Sequence, residues 1–104
     1  MAKLLKFAAL SAVMAMTTPA LADSDLAEIQ ATKDAQVSLV QAIQTAEKEH
    51  NGRAMQGEIE AKRRSDRTEI FYEVKVLAGD GKVFDVIVDA RSGKVISSRE
   101  DIYD

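Results

Sequence analysis

The sequence predicts an α+β fold in which one main helix packs on one face of a four-stranded antiparallel sheet. Large apolar residues recur every three or four positions up to Gly52, which is the spacing of a helix face, and every second position afterwards, which is the spacing of a half-buried strand. Short polar turns separate the later segments, so neighbouring strands must run antiparallel. A lone amphipathic helix beside such a sheet buries its apolar side by lying across one face.

Residues 1–22 have the pattern of a cleavable secretory signal. Two lysines form a basic start, and the apolar run over residues 7–16 carries no charge and is too short to cross a bilayer. Ala20 and Ala22 are small residues at the positions that a signal peptidase recognises, so cleavage is expected before Asp23. A buried N-terminal helix is the alternative, which the lack of a polar side disfavours. We therefore expect a periplasmic or secreted protein with no membrane anchor after cleavage.

Composition limits the classes of protein that the chain can represent. Removal of residues 1–22 from the 104-residue chain leaves 82 residues, enough for one domain. The removed segment contains two lysines and no acidic residue, so the remainder keeps 17 acidic and 12 basic side chains and a net charge of −5. This balance argues against a nucleic-acid partner. The chain has no cysteine, which excludes disulfides and thiol chemistry.

Two helical segments are expected before Gly52. Residues 23–36 are polar and alanine-rich, which predicts a short helix or a partly ordered N-terminal arm. Ser38 and Gln41 have the spacing of a capping box, so the main helix is expected to start at Leu39. Asn51 and Gly52 are expected to end it, with the glycine in the left-handed conformation. The apolar stripe of this helix consists of Leu39, Ala42, Ile43 and Ala46.

The remaining residues predict four strands joined by turns. In the first strand, which begins at Arg53, every second residue is apolar, and these define the buried side: Met55, Gly57, Ile59 and Ala61. Gly57 weakens that strand and is expected to mark a bulge. Clusters of glycine, serine and aspartate predict hairpin turns at residues 79–81 and 90–93. These turns connect predicted strands over residues 70–76, 82–89 and 94–98.

The predicted sheet has one face under the helix and one face that is open. We expect Leu39, Ile43 and Ala46 to contact the covered face, which is formed by Ile59, Tyr72, Val74, Phe84, Val86 and Val88. The opposite face combines charges with Phe71, Val83 and Ile87, and is therefore more apolar than solvation alone requires. A partner is expected to bind there.

No catalytic, cofactor-binding or metal-binding residue is predicted. His50 is the only histidine, and no cysteine or second histidine can join it as a ligand or nucleophile. It is expected to be solvated in the last turn of the helix, where the helix dipole favours a cation. Glu58 with Glu60, and Glu73 with Asp85, are typical of exposed strand faces, and no burial pattern predicts a raised pKa for them.

Two polar patterns have an alternative interpretation. Asp80 and Gly81 with Asp85, or Asp89 with Ser92, could suggest a calcium loop, but neither set has the ligand spacing that wraps the ion, so simple hairpin turns are favoured. The densest positive patch consists of Lys62, Arg63, Arg64 and Arg67. It is interpreted as a solvated hairpin tip, since no neighbouring aromatic residue offers stacking for bases, and contact with an anionic surface is the alternative.

From Val37 onward the sequence resembles the PepSY domains, small modules of exported bacterial proteins and of the propeptides of thermolysin-type secreted peptidases. Three segments carry the resemblance: SLVQAI at 38–43, FYEVKV at 71–76 and VIVDARSGKV at 86–95. The last is the most specific, because it joins a strand ending in Val-Asp-Ala to a short turn, a glycine and another apolar strand. Residues 37–104 are therefore interpreted as a PepSY-like domain.

The resemblance implies a binding or inhibitory role outside the cytoplasm, without catalysis. In propeptides such domains are thought to restrain the attached peptidase, and since no peptidase follows here, the role is expected to act in trans. We predict a non-catalytic module without a cofactor that binds a protein partner, as an inhibitor or modulator of a peptidase or other envelope protein. The alternative is a periplasmic binder of a small ligand or metal ion. The sequence assigns no oligomeric state.

Overall fold

A computed structural model describes residues 23–102 of the chain. They form two helices, α1 (Asp23–Asp34) and α2 (Leu39–His50), and four strands, β1 (Gly52–Arg63), β2 (Thr68–Ala78), β3 (Val83–Asp89) and β4 (Val95–Glu100). The strands form one antiparallel sheet in the order β1-β2-β3-β4. The predicted α+β class and its four-stranded antiparallel sheet are confirmed. The predicted signal peptide, residues 1–22, lies outside the described residues.

Helix α2 begins where the capping box predicts. The Ser38 hydroxyl accepts a hydrogen bond from the Gln41 backbone N–H at 3.1 Å, and the Gln41 side chain accepts one from the Ser38 N–H at 2.9 Å. At the other end Asn51 adopts the left-handed conformation, with φ 50° and ψ 50°. The prediction that Gly52 takes this conformation is wrong, because Gly52 opens β1. A side chain on Gly52 would overlap the carbonyl oxygen of Leu77 in the neighbouring strand.

The core lies between α2 and one face of the sheet. Two alanines of the helix, Ala42 and Ala46, are fully buried against the sheet, and Ile43 packs partly buried beside them. Leu39, expected in the same stripe, is 38% exposed at the rim. The largest fully buried side chains of the sheet are Val74, Val76, Val86 and Val88. Small residues on the helix thus bring its backbone close to the valines of the sheet.

The irregularity in β1 lies before Gly57. The register with β2 shifts between Ala54 and Gln56, which leaves Met55 as the extra residue. The shift reverses the alternation at that end of the strand, so Met55 is 58% exposed and Ala54 packs against the core in its place. The predictions of a bulge at Gly57 and of a buried Met55 are therefore wrong.

Gly57 has a packing role instead. It pairs with Val74 in an uninterrupted part of the β1–β2 ladder. A methyl group added at Gly57 would lie 3.3 Å from Leu39 Cδ1 and 3.3 Å from Ile43 Cγ1. Glycine therefore allows α2 to approach the sheet at this point.

Residues between the helices are fastened to the sheet. The Tyr72 hydroxyl, in the centre of β2, donates a hydrogen bond to the Val37 carbonyl at 2.6 Å. The backbone N–H groups of Gln36 and Val37 both donate to the Ala90 carbonyl at 2.9 Å. Ala31 of α1 is buried in the same core. The first helix and the connection to α2 therefore belong to the folded domain.

Replacement of Tyr72 by Phe tests the attachment of this connection. Tyr72→Phe removes the hydroxyl and leaves the Val37 carbonyl without that donor, so the free energy of unfolding should fall by about 1 kcal/mol. Val74→Ala, which empties space in the core, should lower it by about 2 kcal/mol. Urea denaturation followed by circular dichroism measures both. Equal stability of Tyr72→Phe and the wild type would show that the connection does not depend on this bond.

Candidate functional site

One face of the sheet is uncovered in the part of the chain that the structure describes. Both helices pack on the other side, since Ala31 of α1 and Ala42 of α2 belong to one core cluster with Val74. We call the uncovered side the open face. Its residues, assigned by strand alternation and register, include Gln56, Glu58, Glu60, Lys62, Glu69, Phe71, Glu73, Lys75, Asp85, Ile87, Asp89, Ser97 and Arg99.

Apolar side chains form the centre of one half of the open face. Phe71 and Ile87 are half-buried there, as the sequence predicts, and Ile96 beside them is 59% exposed. Val83, the third apolar residue predicted for this face, is buried. Phe71, Ile87 and Ile96 therefore form the apolar surface that a partner can reach.

A groove of about 650 Å³ lies over these three apolar side chains. We call it the basic groove, because five of the residues that line it are Lys62, Arg64, Arg67, Arg91 and Arg99. Three of these belong to the positive cluster seen in the sequence. The fourth member of that cluster, Arg63, lies on the other side of β1 and lines a cavity against α1. Arg91 and Arg99 come from the last hairpin, and only the sheet register brings them to the cluster.

One of the two acidic residues in the basic groove is paired with arginines. Glu69 lies 2.8 Å from Arg64 Nε and 3.5 Å from Arg67 Nη2. The hydrogen bond from Arg64 and the charges of both arginines lower the pKa of Glu69. The Arg64 and Arg67 side chains remain 49% and 65% exposed, so donors on both stay accessible to a ligand.

The other acidic residue, Asp89, is occupied by the turn that follows it. Its Oδ1 accepts a hydrogen bond from the Arg91 backbone N–H at 2.8 Å. The Arg91 guanidinium donates to the Thr68 carbonyl at 3.3 Å. Lys62 and Arg99 form no ion pair with any of the described residues. The groove therefore has an excess of positive charge.

The neighbouring part of the open face is acidic. Glu58, Glu60 and Glu73 each place a carboxylate oxygen within 4.8 Å of the others, and we call them the glutamate trio. Burial raises the pKa of Glu60, and the charges of Glu58 and Glu73 raise it further. The expectation of no raised pKa is therefore wrong for Glu60. Glu58 and Glu73 are direct partners across β1 and β2, which a sequence without its register does not reveal.

Lys75 binds the residue that follows β4 and so attaches it to the acidic part of the face. Lys75 Nζ lies 2.6 Å from Asp101 Oδ2 and 3.2 Å from Asp85 Oδ1. The hydrogen bond to Asp101 and the nearby carboxylate of Asp85 raise the pKa of Lys75. The contact joins β2, β3 and the residue after β4, so these charges serve the structure of the sheet.

His50 lies on the covered side of the sheet and is partly buried. Its ring stacks on Phe84, with centroids 3.8 Å apart and an angle of 10° between the planes. Its Nε2 also forms a hydrogen bond with the Ser98 hydroxyl. The expectation of a histidine that is simply solvated is wrong, because the end of α2 contacts β3 through Phe84 and β4 through Ser98. His50 therefore acts as a packing residue.

The turns with aspartate and glycine have ordinary hairpin geometry. Asp80 Oδ1 accepts a hydrogen bond from the Lys82 backbone N–H at 3.0 Å, as Asp89 Oδ1 does in its own turn. Gly81 and Gly93 adopt positive φ values of 90° and 78°. Since both carboxylates bind backbone groups, this geometry favours the interpretation as turns over calcium loops.

The protein is a small two-layer α+β module, and its candidate site is the open face of the sheet with the basic groove. The family model described as "Peptidase propeptide and YPEB domain" (PepSY) matches residues 36–99. The chain belongs to the PepSY family, as its sequence predicts. The matched segment includes α2 and nearly the whole sheet, and α1 precedes it.

Other comparisons add no relative. Neither the curated proteins nor the solved structures compared with the chain gave a match. Among the residues that the structure describes, no helix has the length and hydropathy needed to cross a membrane.

Replacement of Glu60 tests the repulsion within the glutamate trio. Burial and the charges of Glu58 and Glu73 raise the pKa of Glu60 in the folded state, so ionisation of this residue opposes folding, and the penalty fades as the pH falls through that pKa towards the value of the unfolded chain. Glu60→Gln should therefore increase the free energy of unfolding by about 0.2 to 1 kcal/mol at pH 7. The gain should shrink towards zero in acid.

Denaturation of the variant across a pH series measures this effect. Glu28→Gln is the matched control, because Glu28 is exposed on α1 away from the trio, and it should change stability little at any pH. A stabilisation by Glu60→Gln that stays constant with pH would contradict the raised pKa of Glu60.

Proposed function

We propose that this protein is exported and acts outside the cytoplasm as a non-catalytic module that binds another protein through its open face. The observation that carries the proposal is an uncovered sheet face on which Phe71, Ile87 and Ile96 form an apolar surface inside a charged rim. Such a surface is typical of protein interaction sites. In this proposal residues 1–22 are a signal peptide, residues 23–36 an N-terminal segment and residues 37–104 the PepSY-like domain.

Family membership supports a peptidase as the first partner to test. The matched family is described as a peptidase propeptide domain, and such domains are thought to restrain the peptidase to which they are attached. A domain of this kind that is not joined to a peptidase would act in trans, as an inhibitor or modulator. Another envelope protein is the second class of partner that the open face would suit.

The arrangement of polar groups supports binding more than catalysis. His50, the only histidine of the chain, lies on the covered side and is engaged by Phe84 and Ser98. On the open face the described carboxylates are the glutamate trio, groups paired with Arg64, Arg67 or Lys75, and Asp89, which accepts a hydrogen bond from the backbone of its own turn. Nucleophilic catalysis needs a nucleophile within hydrogen-bond reach of a base, and this face offers no such pair among its described residues.

The alternative of a ligand or metal-ion binder has weaker support. Carboxylate oxygens of the glutamate trio are ligands that calcium accepts, but exposed acidic groups often cluster without an ion, and no histidine or cysteine joins these three. Calorimetric titration with calcium, zinc and copper tests this alternative. Binding heat that disappears in Glu58→Gln would favour it over the protein-binding module.

Activity measurements with secreted peptidases test the proposal. We expect the protein, purified after expression of the full chain, to slow hydrolysis of a peptide substrate by at least one peptidase of a panel. Phe71→Ala should weaken this inhibition about tenfold, because truncation of an aromatic side chain at the centre of an interface has effects of that size. Val40→Ala is the control, since Val40 is an exposed apolar residue of α2 on the opposite side of the domain.

The outcome separates the two classes of partner. If the protein inhibits no peptidase of the panel, the inhibitor role is excluded. The proposal of a binding module would then require site-specific crosslinking from the open face to an identified envelope protein. Equal inhibition by Phe71→Ala and Val40→Ala, with both variants folded by circular dichroism, would exclude the open face as the binding surface.

A further inference from the structure

We propose that the basic groove binds an acidic segment of the partner protein, in which carboxylates flank an apolar side chain. This inference names the chemistry of the partner and rests on the proposed function of the open face. Three properties of the groove carry it: its local charge, its apolar floor and the charge of the surface beside it.

The charge of the groove is opposite to that of the chain. The whole chain has a net charge of −3, whereas five basic and two acidic residues line the groove. Glu69 is paired with Arg64 and Arg67, and Asp89 is held by its turn, so neither neutralises Lys62 or Arg99. A concave surface with one excess charge attracts the opposite charge and guides its approach.

The donors in the groove suit carboxylates. The side chains of Arg64 and Arg67 are 49% and 65% exposed. A guanidinium group offers a planar set of donors that matches the two oxygens of a carboxylate. Lys62 lies on β1 and Arg99 on β4, the two outer strands. The groove therefore crosses the sheet obliquely, because Lys62 pairs with Glu69 whereas Arg99 is level with Lys75, further along β2. An extended segment that follows this diagonal can reach basic groups at both ends.

The floor of the groove favours a segment that also has an apolar side chain. Phe71 and Ile87 come from the two central strands and are half-buried. Ile96 joins them from an irregularity of β4, where the register with β3 shifts between Ile87 and Val88. Such bulges redirect a side chain, and here the redirected residue is an isoleucine that lines a charged groove. Burial of this apolar surface would add to the ionic contacts.

The glutamate trio argues for a protein segment and against a nucleic acid. Glu58, Glu60 and Glu73 continue the open face beside the groove, so a phosphate backbone that extends along the face would meet like charge. Phe71 is the single aromatic residue among the described residues that line the groove, whereas successive bases of a strand need several aromatic side chains to stack on. A polypeptide can place its acidic residues over the arginines alone, with neutral or basic residues next to the trio.

Fluorescence anisotropy with labelled synthetic peptides tests the inference on protein purified after expression of the full chain. The probe peptide has aspartate and glutamate on both sides of a central leucine. A second peptide has serine in place of the leucine, and a third has asparagine and glutamine in place of the acids. We expect the first to bind most tightly, the third to bind negligibly, and the binding of the first to weaken as salt increases.

Charge reversal at the two ends of the groove should weaken binding. The double variant Lys62→Glu with Arg99→Glu should bind the probe peptide at least about tenfold more weakly, because it replaces attraction by repulsion. The matched control is Lys33→Glu with Lys82→Glu, which makes the same change in net charge at exposed residues outside the groove. The control should bind within about twofold of the wild type, since exposed charges beyond a Debye length are screened.

The apolar floor has a separate test. Ile96→Ser should weaken binding of the leucine peptide about threefold to tenfold and leave binding of the serine peptide unchanged, since only the former has a side chain to bury there. Because Ile96 is exposed, the variant should fold normally, and circular dichroism checks this. Equal losses for the two peptides would contradict a contact between the apolar side chain and the floor.

Several results would overturn the inference. Equal binding by the groove variant and its control would exclude the groove, and single-stranded DNA that binds as tightly as the probe peptide would show a general anion surface. If the protein binds no peptide but sediments as a dimer, and the groove variant is a monomer, the groove would be assigned to a second copy of the chain.

Other results separate the groove from the proposed function. Peptide binding without inhibition of a peptidase or capture of any envelope protein would support the groove and remove the proposed function. Inhibition that survives in the groove variant would remove the groove alone.

Discussion

The close approach of α2 to the sheet determines the rest of this structure. Ala42 and Ala46 bring the helix backbone down to the valines of β2 and β3, and Gly57 leaves space for the helix side chains beside β1. A helix of 12 residues can cover only one face of a four-stranded sheet. Larger residues at these positions would separate the layers and leave voids that the surrounding side chains cannot fill. The same geometry leaves the second face without a helix.

The antiparallel register determines where the charged side chains of the open face lie, and it separates them into an acidic part and a basic part. Glu58 lies opposite Glu73, and Lys75 opposite Asp85, in the middle of the sheet. The hairpin tip after β1 and the residues of the last hairpin place their basic side chains together at the adjoining groove. Like charges that face each other across strands oppose folding, and this repulsion adds to the effect of burial in raising the pKa of Glu60. A face shaped only by stability would alternate the two signs, so the separation is more consistent with a binding surface.

Local rules explain which parts of the structure the sequence could predict. The capping box of Ser38 and Gln41, the change of spacing at Gly52 and the last hairpin each depend on residues near one another in the chain, and the structure agrees with all three. The exposure of Met55 was not predicted, because an extra residue in a strand moves the residues before it to the opposite face of the sheet. The sequence around Met55 does not show where that extra residue lies. Arg91 and Arg99 were not assigned to the basic cluster because contacts with β1 and its hairpin tip depend on pairing across the sheet. The stacking of His50 on Phe84 has the same non-local origin.

The non-local origin of the groove also bears on its specificity. Its basic residues come from β1, the hairpin tip, the last turn and β4, so they converge only when all four strands are in register. An unfolded chain would spread them among 17 acidic residues and would have no concentrated positive site. Beside the groove, the glutamate trio would repel a partner that is acidic along its whole length. If the open face binds a segment as proposed, attraction in one half of the face and repulsion in the other half would restrict both the sequence and the direction of that segment.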